Sequence, residues 1–105
     1  MFDFSKRVVV ITGAAGNLSV AVTRAFQKTG ATLVLVDRGK DRLAQIYPDL
    51  VEASRCFFAI GVDLNDVAAV EQMASEAVRR FERIDALVNT AGGYRAGQPL
   101  AAITV

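Results

Sequence analysis

Residues 8–19 read VVVITGAAGNLS, and this stretch holds the side chains and backbone groups best placed for chemistry. β-Branched residues lead into a glycine-rich turn, and the turn opens a helical pattern. Such a turn can bring backbone N–H groups against phosphate oxygens, because glycine carries no Cβ to block the approach. Gly13 and Gly16 serve that need. The helix that begins near Asn17 and Leu18 offers unpaired N–H groups and the positive end of its dipole. The chemistry implied is the holding of a pyrophosphate. Asp37 stands 21 residues beyond Gly16, at the carboxyl end of the next apolar run. A carboxylate there can accept hydrogen bonds from both hydroxyls of an adenosine ribose. Hydrogen bonds to a charged group contribute about 1.5–3 kcal/mol each. The same charge repels a 2′-phosphate, so NAD is favoured over NADP. Arg38 leaves the alternative open, because its guanidinium could pair with that phosphate.

These groups need a scaffold, and the pattern supplies one. Residues 7–12, 31–36, 56–62 and 84–89 read as strands, apolar nearly throughout. Residues 17–29 read as a helix with Leu18, Ala21, Val22, Ala25 and Phe26 on one face, and Gly30 is placed to end it. Residues 40–47 make a short helix that buries Leu43, Ile46 and Tyr47, stopped by Pro48. Asn65 or Asp66 caps a third helix, in which Val67, Val70, Ala74, Ala77, Val78 and Phe81 follow helical spacing. Strands buried on both faces suit a parallel sheet. Alternation of strand and helix with right-handed crossovers predicts an α/β fold, a Rossmann-like doubly wound parallel sheet. It has about four strands in the order 3-2-1-4 and three helices. The first two helices are expected on one face and the third on the other.

Composition narrows the function classes. A chain of 105 residues makes one domain at most. With 12 basic and 11 acidic residues the net charge is +1, which gives no long-range pull toward nucleic acid or an anionic membrane. No apolar run reaches the length of a membrane span, and the start MFDFSKR is not a secretory signal. The chain has no histidine, which excludes imidazole acid–base chemistry and histidine metal sites. Its one cysteine, Cys56, reads as a small strand hydrophobe in a reducing, cytoplasmic setting.

TGAAGNLS, the strand-end Asp37, VDL at 62–64 and LVNTAGG at 87–93 together resemble the short-chain dehydrogenase/reductase family, in register from about residue 5 to 93. The resemblance implies that Asp63 and Leu64 lie against an adenine ring. It implies that Asn89, Ala91 and Gly92 support the central sheet and the ribose side of the cofactor. Three positions depart from the pattern. Asn17 and Ser19 stand where one form of the glycine motif has glycines, and only Ser19 departs from the other form. Thr90 replaces the second asparagine of N-N-A-G.

The family's activity is hydride transfer between NAD(P) and an alcohol or carbonyl. It rests on a serine and a Tyr-x-x-x-Lys pair that the family carries farther along a longer chain. Within these 105 residues Tyr47 is followed four positions on by Val51, and Tyr94 by Gln98, so no residue is assigned a catalytic role. The expectation is a nucleotide-binding portion that holds the cofactor and does not reduce a carbonyl alone. The alternatives are a ligand-free, self-associating remnant, or a piece of a full oxidoreductase. Strand four is expected as an open edge lined by Ile84, Leu87 and Val88, which invites homo-oligomers through that edge or the poorly covered sheet face.

Overall fold

The computed structural model describes residues 3–90 and the strand 102–104. The order along the chain is β1 (Val8–Thr12), α1 (Asn17–Lys28), β2 (Thr32–Val36), α2 (Arg42–Ile46), β3 (Cys56–Ala59), α3 (Val67–Phe81), β4 (Ala86–Asn89) and β5 (Ala102–Thr104). A single 3-10 turn, Pro48–Leu50, follows α2. The four expected strands are parallel and lie in the order β3-β2-β1-β4. This is the doubly wound arrangement that the pattern predicts.

Alternation along each strand divides the core. Val9, Ile11, Leu33, Leu35 and Val88 point to the face covered by α1 and α2, where Leu43 and Tyr47 are fully buried. Val8, Val10, Val34 and Val36 point to the other face and meet Met73 and Ala77 of α3. β1 and β2 are thus buried on both sides, as their unbroken apolar sequences require.

Several expectations need correction, among them the start of the fourth strand, which begins at Ala86 and not at residue 84. β4 is not an open edge: β5 pairs with it antiparallel, with Val88 opposite Ile103, so the basis for association through that edge is removed. β3 ends at Ala59 and not at residue 62. Gly61 adopts a left-handed φ of 66°, which no strand continues through, and Val62 instead donates its N–H to the Asp37 carbonyl at 3.1 Å. α1 is rotated by about one residue from the expected face. Its buried stripe is Ser19, Val22, Thr23 and Phe26, while Leu18, Ala21 and Ala25 face outward. Small side chains at 19 and 23 allow close approach to the sheet. In α3 the buried residues are Met73 and Ala77, whereas Val78 is exposed and Val67 is 69% exposed.

Local chemistry fixes the helix ends. Asp66 caps α3 by accepting the N–H groups of Ala68 at 3.1 Å and Ala69 at 3.3 Å. Asp85 joins the start of β4 to β1. Its Oδ2 accepts the Val8 N–H at 2.8 Å, and its own N–H reaches the Val8 carbonyl at 2.9 Å.

Candidate functional site

The carboxyl ends of β1, β2 and β4, with the segment following β3, surround a cleft of about 380 Å³. It lies where the chain order reverses on either side of β1, the position at which open α/β sheets form a crevice. Gly13, Asp37, Arg38, Asp63, Leu64 and Asn89 line it, together with Val36, Val62 and Asn65.

Of the glycine turn and the helix start, Gly13 lines the cleft, whereas Gly16, Asn17 and Leu18 are not among its lining residues. Gly13 has φ 61°, a conformation that few side chains tolerate. Ala14 donates its N–H to the Val36 carbonyl at 3.0 Å, which ties the turn to the end of β2. Gly16 is the N-cap of α1 with an ordinary φ of −76°, and a Cβ there would only touch the Gly13 carbonyl at 3.4 Å. The turn's own backbone therefore does not demand glycine at 16; its value is open access above the helix start. No side chain caps α1, and its first turn, beginning Asn17 and Leu18, holds no acid. A helix start of this kind is suited to an anion.

Asp37 follows β2 and is 5% exposed. Its backbone is clamped to β3, since its N–H reaches the Ala59 carbonyl at 3.1 Å. Carboxylate Oδ2 accepts the Gly39 N–H at 3.1 Å and lies 3.7 Å from Arg42 Nε. A Cβ on Gly39 would sit 3.0 Å from Arg42 Cδ and 3.1 Å from that same oxygen, so a side chain there would push one of the two aside by a few tenths of an ångström. Both contacts use one oxygen of the carboxylate. Arg38 turns across the cleft toward Asp63, with 3.6 Å between Nη2 and Oδ2. Asp63 Oδ1 accepts the Asn65 N–H at 2.9 Å, and this turn leads directly into the Asp66 cap.

On the β4 side, Thr12 Oγ1 donates to Asn89 Oδ1 at 2.7 Å. Thr90 Oγ1 donates to the Thr12 carbonyl at 2.5 Å and also meets the Ser19 hydroxyl. Ser19 and Thr90, two of the three departures from the family pattern, are thus hydrogen-bonded to each other across the back of the turn. Ala91 and Gly92 lie outside the described residues.

Sequence reasoning missed four contributors. Val36 and Val62 supply apolar walls but look like ordinary core positions. Asn65 was legible only as a helix cap, although its place beside Asp63 puts it in the cleft. Tyr47 was legible only as core, yet its hydroxyl donates to the Ala14 carbonyl at 2.8 Å. Burial pushes the Tyr47 phenol up, offset in part by the Thr23 hydroxyl and the Arg24 guanidinium, so it remains a donor. Burial likewise pushes the Cys56 thiol up to about 12, which leaves it inert as a nucleophile at neutral pH. Among the described residues no cluster of three or more His, Cys, Asp or Glu could hold a metal ion. None of the described helices is long and apolar enough to cross a membrane.

Comparison with known proteins agrees with this geometry. The family model for short chain dehydrogenase matches residues 7–104. The meso-2,3-butanediol dehydrogenase of Serratia marcescens is 37% identical over 97 residues, covering 92% of this chain and 38% of that protein. A short-chain dehydrogenase/reductase structure from Brucella melitensis superposes with a TM-score of 0.81 at 34% identity, over 90% of this chain and 40% of that one. Structures with cofactor are also similar. The 3-ketoacyl-(acyl-carrier-protein) reductase from Brucella melitensis complexed with NADH has a TM-score of 0.66 at 25% identity, over 75% of this chain and 31% of that one. The N-domain of a bacterial malonyl-CoA reductase with NADP has a TM-score of 0.74 at 36% identity, over 83% of this chain and 17% of that one. The chain spans about 38% of the length of the butanediol dehydrogenase it matches. The sheet order, the glycine turn and these matches together place the chain in the short-chain dehydrogenase family, whose members use nicotinamide dinucleotides.

Proposed function

We propose that this chain binds NAD in the cleft at the ends of β1, β2 and β4, as the nucleotide-binding portion of an oxidoreductase. The parent reaction is hydride transfer between NAD(P) and an alcohol or carbonyl. The observation that carries this reading is the convergence of Gly13, the buried Asp37 and the 63–65 segment on one cleft. The residues present fit the group: an uncapped helix start without acids for the pyrophosphate, and a carboxylate for the ribose.

In this reading Gly13, Gly16, Asn17 and Leu18 present backbone N–H groups to the pyrophosphate. Asp37 uses the oxygen not held by Gly39 and Arg42 to accept the ribose hydroxyls. Asp63 and Leu64 take the adenine edge. Asn89 and, by family motif, Ala91 and Gly92 stand on the nicotinamide-ribose side. When bound, the nicotinamide supplies the hydride acceptor or donor. What this chain contributes is binding and orientation.

The pairing of Arg38 with Asp63 draws its charge away from Asp37, which supports NAD over NADP. The ligand-free alternative drew on Asn17, Ser19 and Thr90, and the mutual bond of the last two removes most of that support. Equilibrium dialysis against NADH and NADPH tests the assignment. Asp37→Asn should weaken NADH by about 10-fold or more, the loss of one to two charged hydrogen bonds, and weaken NADPH less. The reverse order would assign selectivity to Arg38.

A further inference from the structure

We infer that Tyr47 is a positioning residue for the dinucleotide turn, acting through its hydroxyl on the Ala14 carbonyl; this rests on the proposed cofactor reading. Ala14 is 0% exposed, so no water can replace a lost partner on its carbonyl. Its N–H is held by the Val36 carbonyl at 3.0 Å and its carbonyl by Tyr47 Oη at 2.8 Å. The turn is therefore pinned from two sides. One pin is the residue before Asp37; the other is the end of α2.

The local sequence builds the second pin. The Tyr47 N–H reaches the Leu43 carbonyl at 2.8 Å and closes α2, and Pro48 prevents the helix from continuing. The ring is driven inward and is fully buried. Arg24 of α1 lies 5.0 Å over the ring centroid and is itself held by both oxygens of Asp49, at 2.8 and 2.9 Å. A phenylalanine would fill the same space. What the phenol adds is its hydroxyl, which lies beside the Thr23 hydroxyl and donates its hydrogen bond to the glycine turn. Fixing the peptide after Ala14 sets where the N–H groups that follow Gly16 point relative to Asp37.

Tyr47→Phe in the full chain is the test, read by amide hydrogen exchange over residues 14–18 and by NADH dialysis. Phe26→Leu, a core change away from the cleft, serves as the control for general destabilisation. The expected result is faster exchange confined to residues 14–18 and NADH binding weakened about 5- to 20-fold, the range of one buried hydrogen bond. Phe26→Leu should lower the melting temperature without that local signature and without loss of NADH affinity. Unchanged exchange at 14–18 in Tyr47→Phe, or wild-type NADH affinity in it, overturns the inference. If the parent chain binds no NADH, the cofactor reading fails, and the exchange measurement still decides whether Tyr47 holds the turn.

Discussion

Asp37 illustrates how much one residue can reveal. Its type and its distance from the glycine turn were legible because both follow from the βαβ unit that must separate them. Its burial and its hold on Gly39 were not legible, since they depend on the bend after β2. Ser19 and Thr90 show the opposite case. Each looks like a defect when taken singly, because their partnership spans 71 residues of sequence. A double-mutant cycle tests whether they act as one unit. Thr90→Val and Ser19→Ala should each cost about 1 kcal/mol, and the double substitution should cost clearly less than their sum. Additive losses in urea unfolding would show that the contact is incidental.

At the scale of elements, strand identity and order followed from apolar runs too uniform for a half-exposed sheet. The faces of α1 and α3 did not. Hydrophobicity favoured Leu18 and Val78, but close packing against the sheet selected Ser19, Thr23 and Met73, beside the expected Ala77. Helix-to-sheet distance, which sequence does not display, decided between large apolar and small polar side chains. The start of β4 was misplaced by two residues for a similar reason: Asp85 spends its carboxylate on β1. Its burial raises the carboxyl pKa, but Arg83, the Val8 N–H and Arg7 outweigh that, and the net shift is downward. A depressed folded value means the contribution is present above the ordinary carboxylate range and is lost as pH falls through the folded value. The urea midpoint should therefore drop as pH is lowered below about 4. Asp85→Asn should be less stable at pH 7 and show a shallower acid drop. An equal acid slope in both proteins would remove Asp85 from this account.

At the scale of the whole molecule, the surprise is β5. The last residues of the chain are weakly patterned, and antiparallel addition to β4 leaves no periodic signature in three residues. With that edge paired, the exposed apolar groups among the described residues include Val67 and Val78 of α3 and Ile84 just before β4, which offer a surface for association. Sedimentation at tens of micromolar should show dimers or larger species. A strictly monomeric chain would mean that this surface is tolerated in water. Equilibrium dialysis of NADH against the unmodified chain tests cofactor binding in the cleft most directly. The chain should bind NADH saturably, in the high micromolar range, roughly −4 to −5.5 kcal/mol. No saturable binding at millimolar NADH would contradict the account.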